Sequence, residues 1–516
     1  MTDATVGTAT HADASPKQPG KLSLALNKRF HFLDRGSNLR TEIGAGFGSF
    51  SIAVCALLLN TQVIGASYGN YAGPYLALAV VSFLGTVLLG VLCNLPLVQS
   101  ANMGLSTVLI SMITANEGLT YSNVLAITFV AAVIYLAIAA TPARRLFTDL
   151  LPESVRKALP VGIGIYIMMT ALRSSGMITD EGQLTDTTTL GSLQTYYLWL
   201  MAAGVLVYVL YLSFRHHCAL TKTYWLLIAA MWVGGILFFL DSFIGGQTAT
   251  TLVYERVNTV VATDGASPYN IVTGIQSIDL GALFTSGFDF SGFTAKGGNV
   301  PLVFIQGVLS FLLIGMYTNM GTTSAAAQAG GFEIDERVSS RVHLIGAALN
   351  VVAPVLGASP TSVGAESSVG SRDGAKSGLS SLVAALGYFV SMFAWVFVLL
   401  TATKTNGVGM WISETETKLA AYVQDGFVFA DFIMVLVGVS MLKGVRDVAA
   451  SKLEESLPFL VAVAGIAVAG NIALGVAFGV VSHIIAMLVC KRGKELTPAT
   501  LGLGALLLVY GVFALI

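Results

Sequence analysis

Long apolar runs separated by short polar breaks dominate the chain and set its reading before any motif does. They lie at 43–65, 75–95, 124–140, 159–172, 196–212 and 224–240, and again at 303–326, 342–356, 379–400, 427–442, 457–469 and 472–490, with a polar gap at about 241–299 between the groups. Most approach the ~20 apolar residues that a helix needs to cross a bilayer. Two further stretches, 96–114 (PLVQSANMGLSTVLISMIT) and 357–370 (GASPTSVGAESSVG), are too rich in small and polar residues for ordinary lipid-facing helices. Counting both, the pattern predicts an all-α polytopic membrane protein with about fourteen transmembrane segments, half on each side of the gap. The expected organisation is a cytoplasmic arm (1–40), a first repeat (41–241), an extracytoplasmic loop (242–300), a second repeat (301–490) and a C-terminal apolar segment (491–516). Whether 496–516 is a fifteenth span or lies along the bundle is left open by the pattern.

Composition names the solvent. The 516 residues are 55% hydrophobic and 11% charged, with a mean hydropathy of +0.77. Soluble domains carry about 25% charged residues, so this chain faces lipid. A net charge of -1 leaves no basic excess for nucleic acid. Cys55, Cys93, Cys218 and Cys490 form no C-x-x-C pair, so neither a disulfide framework nor a zinc site is expected. The polar N-terminal arm lacks the apolar core of a signal peptide, so the first spanning helix is expected to direct insertion. If every segment crosses and the N-terminus is cytoplasmic, only Arg173, Arg256, Lys296, Lys404 and Lys418 of the 27 Lys and Arg fall outside. That bias is the positive-inside pattern and predicts a multi-pass protein of the cell (inner) membrane.

A faint repeat links the halves. Gly48 and Asn60 in the first segment match Gly307 and Asn319 in the eighth, and the two small-residue stretches each stand third in their half. Because each half has an odd number of segments, the second is inverted, as in transporters whose sites lie at the membrane midplane.

Candidate chemistry concentrates in 357–378. Ser359 and Pro360 read as an N-cap and first helical residue, which would set Ser359, Ser362 and Glu366 on one face of a helix starting in mid-membrane. Glu366 is the one acid deep within a segment, and an ionisable group there is functional by default. Gly364 and Ala365 before it would let a flat ligand approach the backbone, which suits a planar heterocycle. In the first half, Ser100 could cap a helix starting at Ala101. A strand at 97–99 would need partners at that depth, the run 354–358 being the expected one, and Gly104, Ser106 and Thr107 would leave room. On the eighth segment, Tyr317, Thr318, Asn319, Gly321 and Thr322 cluster near the end of an apolar helix, with Thr318 and Thr322 on one face.

Other groups read as bland. Asp431, one turn into its segment, reaches interfacial water. His216, His217 and Cys218 are adjacent in a loop and cannot wrap a metal unaided. No phosphate-binding loop motif occurs, and the single deep acid with His343 and His483 near segment ends offers no catalytic pairing. No enzyme, metal or cofactor is expected.

The chain also resembles a known family. RTEIGAGFGSF from Arg40, MGL from Met103, PESVRKALPVGIGIYI from Pro152, MGTTSAAAQAGGFEID from Met320 and GASPTSVGAESSVGSRDGAKSGL from Gly357 are similar to motifs of the AzgA-like purine permeases, of the nucleobase–cation symporter-2 (nucleobase–ascorbate) group. The likeness runs over about 26–490. It implies core and gate domains in a 7+7 inverted repeat, with the third and tenth segments each a short strand plus a half helix. It places the family's substrate-binding Glu on Glu366. The family's eighth-segment acid falls on Thr318, its third-segment Asn on Ser106, and a late acidic position near Leu474, so the chain departs from the pattern at the site.

The expected function is secondary active import of a nucleobase, a purine such as guanine, hypoxanthine, xanthine or adenine, by proton symport and alternating access. Glu366, Ala365, Thr318, Asn319, Thr322 and Ser106 would bind it, with Glu366 also linked to the proton. Expected partners are the heterocycle, the proton, membrane lipid and a second copy in a homodimer. The rival is an anion carrier or channel of the same architecture, holding its anion at two helix N-termini. Glu366 would repel that anion.

Overall fold

A computed structural model describes residues 20–68, 72–141, 151–174, 178–179, 189–190, 278–393 (without 279 and 282), 442, 445, 452–469 and 472–515. The expected segments at 196–212, 224–240 and 427–442 lie almost wholly outside the described residues, as do Asp431 and the His216, His217 and Cys218 group.

The described helices, in chain order, are α1 (Lys21–Phe30), α2 (Leu39–Tyr68), α3 (Ala72–Leu88, continued by a π turn Leu89–Cys93), α4 (Met103–Ala115), α5 (Tyr121–Ala140), α6 (Glu153–Ser174), α7 (Ser291–Ala295), α8 (Val300–Gly330), α9 (Glu336–Val355), α10 (Ser367–Arg372), α11 (Gly378–Phe393), α12 (Leu453–Ala469), α13 (Ile472–Val489) and α14 (Pro498–Leu515). Between them run the short strands β1 (Gln99–Ala101), β2 (Ile178–Thr179), β3 (Thr189–Leu190) and β4 (Thr361–Val363). Four helical stretches, Gly73–Cys93, Tyr121–Ala140, Val300–Gly330 and Glu336–Val355, are long and apolar enough to cross a membrane. Large apolar side chains on α2, α3 and α11, including Phe47, Leu84, Leu92, Leu386 and Phe393, stand exposed. On a multi-pass membrane protein these meet lipid rather than water.

Local chemistry sets the helix ends. Asn299 accepts the Leu302 N–H to start α8, and Gly331, at φ 61°, ends it in the left-handed region that favours glycine. Thr120 and Asn123 form a reciprocal capping box at the start of α5. Asn123 also donates to the carbonyls of Ser286, Gly287 and Asp289, so the described end of the central loop is pinned to that helix.

Two hydrophobic clusters organise the interior. One gathers α4, α5, α6, α8, α12 and α13 around Leu109, Ile127, Leu313 and Ile466. The other gathers α2, α3, α9 and α11 around Leu57, Leu78, Leu349 and Tyr388. Where they meet, β1 and β4 pair antiparallel, with Gln99 opposite Val363, Ser100 opposite Ser362 and Ala101 opposite Thr361. Side chains from the surrounding helices satisfy backbone groups that this ladder leaves over, a requirement wherever no water reaches. Thr86 accepts the Gln99 N–H (3.0 Å), Asn350 the Thr361 N–H (2.8 Å) and Asn319 the Val363 N–H (2.7 Å).

Three local expectations are corrected. Ser359 and Pro360 do not start a helix: the chain stays extended through Thr361–Val363 and α10 begins only at Ser367, because β-branched Thr361 and Val363 favour a strand and Asn350 holds it. Ser359, Ser362 and Glu366 therefore share no helix face. Ser100 is a strand residue, not a cap; Asn102 caps α4, its Oδ1 accepting the Leu105 N–H at 3.2 Å. The partner of the first strand is not 354–358, since Pro354 belongs to the last turn of α9.

Candidate functional site

The turn after β4 builds the site. Gly364 extends the ladder by donating its N–H to the Val98 carbonyl (2.8 Å), and the chain then reverses as Ser367 and Ser368 donate to the carbonyls of Gly364 and Ala365. Glu366 becomes the residue preceding α10. Its side chain is 5% exposed. Oε1 accepts from Ser100 Oγ at 3.4 Å, while Oε2 is buried with no hydrogen-bond partner. Tyr388 of α11 is fully buried, and its hydroxyl has no hydrogen-bond partner among the described residues.

Gly364 has a different use from the one expected. A Cβ there would run into Glu366 Oε2 and come within 2.7 Å of Ser100 Cβ. The glycine makes room for the carboxylate itself.

The remaining candidates separate by what their polar atoms already do. α8, which carries Thr318, packs against both α4, which carries Ser106, and α10. The hydroxyls of Ser106 and Thr318 are buried without a partner. Thr322 instead donates back to the Thr318 carbonyl (2.8 Å). Asn319 is fully buried and spends both ends on the scaffold, accepting from Val363 N–H and donating to Tyr135 Oη. Ala365 is half-buried against the α8 side. Leu474 lies on α13, 6% exposed. The arrangement is a carboxylate with one unengaged oxygen and two unengaged hydroxyls on neighbouring elements, which can accept and donate hydrogen bonds to a small polar ligand.

Glu366 is not the only deeply buried acid. Glu42, at the start of α2, is 0% exposed; it accepts from the Lys376 N–H (2.8 Å) and Ser377 Oγ (2.9 Å), holding the loop that leads into α11. Those partners lie more than 330 positions away, and nothing local in the sequence marks them. Asp373, the residue after α10, has both carboxylate oxygens buried without a hydrogen bond. Burial pushes it up to about 7, against the opposing influence of the Arg372 guanidinium. A carboxylate raised above its unfolded value of 3.8 destabilises the fold increasingly as pH rises toward 7. Asp373→Asn should therefore raise the thermal midpoint of the purified protein, more at pH 8 than at pH 5. An equal change at both pH values would contradict this.

No protein-family model matches the chain. Curated relatives do. The guanine/hypoxanthine permease PbuO of Bacillus subtilis is 23% identical over 474 residues, covering 91% of this chain and 96% of the relative. The adenine permease AdeP of Escherichia coli is 20% identical over 492 residues, covering 95% and 96%. The nucleobase transporter PlAzg2 of Paenibacillus larvae is 23% identical over 451 residues, covering 87% and 78%. Among solved structures, the transmembrane domain of a cyanobacterium bicarbonate transporter, BicA, superposes with a TM-score of 0.45 at 17% identity, over 86% of this chain and 98% of that one. These three curated relatives are permeases or transporters of nucleobases, the class that the motifs at Met320 and Gly357 imply.

Proposed function

We propose that this protein is a secondary active transporter that imports a nucleobase, a purine such as guanine, hypoxanthine, xanthine or adenine, by proton symport. The observation that carries the reading is the unengaged, buried Oε2 of Glu366. A carboxylate with a free lone pair at that depth suits the ring N–H and amino donors of a planar base, and its protonation would couple base to proton. Ser106 and Thr318, whose hydroxyls have no partner, would complete the hydrogen bonds. Ala365 would lie against the ring, while Asn319 and Thr322 would shape the site through the backbone.

Movement would follow the architecture expected from the sequence: a fourteen-segment inverted repeat, N-terminus cytoplasmic, in which a core carrying β1, β4 and Glu366 moves against a gate. Relatives of purine-permease type over nine-tenths of the chain, 91% in one case, support the substrate class. The test is uptake of radiolabelled purines, pyrimidines and inorganic anions at two pH values into cells expressing the full chain. Purine uptake that rises in acid is expected. Anion uptake without base uptake would overturn the reading in favour of an anion carrier.

The departures at Ser106 and Thr318 give a separate test. Ser106→Asn and Thr318→Asp restore the groups that the resembled family carries. Because a site built around one hydrogen-bonding pattern rejects the wrong one by ~10²-fold or more, each should reorder the preference among the bases. Unchanged competition profiles in both variants would remove these two residues from the site.

A further inference from the structure

Four residues distant in the chain make one buried line of hydrogen bonds. Val363 N–H donates to Asn319 Oδ1 at 2.7 Å, Asn319 Nδ2 donates to Tyr135 Oη at 3.2 Å, and Tyr135 Oη meets His343 Nδ1 at 2.9 Å. Asn319, Tyr135 and His343 are 0%, 3% and 8% exposed, and the last two rings also meet edge to face. The line joins β4, α8, α5 and α9.

The direction of its first two bonds is dictated from one end. A backbone N–H can only donate, so Asn319 must present its oxygen to Val363 and its amino group to Tyr135. Tyr135 then accepts from Asn319, and the arrangement that satisfies every member has its own O–H donating to His343 Nδ1. In that arrangement Nδ1 carries no hydrogen, which is the neutral imidazole with its proton on Nε2. Protonating Nδ1 would turn the last bond around and take from the Tyr135 hydroxyl the acceptor it now has.

We propose that His343 is a positioning residue for the substrate strand: its neutral Nε2–H form locks Tyr135 and Asn319, which hold Val363 three residues before Glu366, and its protonation releases that hold. The elements packed against α9 are α3 with its π turn, α5, α8 and β4. Their titratable side chains are Tyr75, Cys93, Tyr121, Tyr135 and Tyr317, and α9 itself adds Glu336, Arg337 and Arg341. A buried polar line is sensitive to a change at any of its members, because each can leave the next unsatisfied. The inference deepens the proposed transport reading and rests on Glu366 being the substrate anchor.

Two measurements keep the inference and that reading apart. The first needs no transport: nitrogen NMR of the full-length protein labelled at histidine nitrogens, with the His343 signals assigned by their loss in His343→Asn. The neutral Nε2–H tautomer is expected near neutral pH, with its Nδ1 signal displaced in Tyr135→Phe. An Nδ1–H tautomer, or no displacement, would overturn the inference whatever the substrate. The second is purine uptake between pH 5 and 8. Losing the acceptor in His343→Phe should raise the apparent KM about tenfold, the size of one buried hydrogen bond. His343→Asn, which keeps an oxygen near the Nδ1 position but cannot take up a proton, should stay within about twofold of the parent KM at neutral pH and show a steeper rise of uptake in acid than the parent, in which His343 protonation opposes that rise. Indistinguishable KM and pH profiles in parent, Phe and Asn forms would sink the proposal. Absence of purine uptake in the parent would count against the transport reading and leave the NMR result to decide the inference.

Discussion

Glu366→Gln is expected to abolish measurable nucleobase uptake while the protein still reaches the membrane. The substitution is nearly isosteric, and the remaining side-chain oxygen can keep the 3.4 Å contact with Ser100 Oγ. What changes is the atom at the unengaged position: an anionic acceptor becomes an amide N–H donor, or the amide flips and Ser100 faces one instead. A ring N–H brought against that group finds no acceptor in a buried site, and such mismatches reduce specificity by ~10²-fold at the least. The proton-linked carboxylate also disappears, so any residual uptake should no longer rise in acid. Uptake normalised to the amount of protein in the membrane is the measurement. Normal uptake by the variant would remove Glu366 from the centre of the mechanism.

The second large effect falls on stability. Gly378, the first residue of α11, faces the π turn that ends α3 so closely that a Cβ would collide with the Gly90 carbonyl oxygen and stand 2.8 Å from Gly90 Cα. Its N–H also donates to Asn94 Oδ1 at 2.9 Å. Both obstacles are backbone, so no rotamer relieves them. Gly378→Ala must therefore separate α11 from α3, which also packs on β1. Overpacking of this kind costs about 1–3 kcal/mol, and more where the backbone has to move. A lower midpoint in thermal unfolding of the purified protein is expected, with Gly20→Ala, where a Cβ meets nothing within 4 Å, unchanged. Equal midpoints in the two variants would show that the close approach is not needed.

Much of this was legible in the sequence, for reasons that differ from residue to residue. Glu366 stood out because hydropathy alone shows a lone acid inside a segment, and that signal is local. That unusual segments occur at 96–114 and 357–370 is legible in composition, and that a strand at such depth needs a partner follows from backbone hydrogen bonding, but the expected partner run, 354–358, is not the one that pairs. The register did not follow: Ser100, Ser362 and Thr361 are all small and polar, and no alternation of burial marks a three-residue strand whose every side chain is buried. Asn319 was read as a ligand residue because its neighbours are polar; its true partners, Val363 and Tyr135, lie 44 and 184 positions away. Glu42 was passed over because it precedes the apolar run rather than interrupting it. Local pattern thus gave the chemistry available, and distant contacts decided which groups stay free to use it.

The β1–β4 ladder carries a consequence for how the chain is made. Gln99 and its hydrogen-bond partner Thr361 are 262 positions apart, so a ribosome that has released the first strand has most of the molecule still to synthesise. On the proposed topology, the carbonyl and amide groups of β1 would lie at the level of the lipid with nothing to pair with until β4 arrives, and unsatisfied backbone there costs several kcal/mol per group. Assembly of the site is therefore a late event, achieved only when both halves are in the bilayer, and a chain truncated before Thr361 should be held by the insertion machinery or degraded rather than fold to half of a transporter.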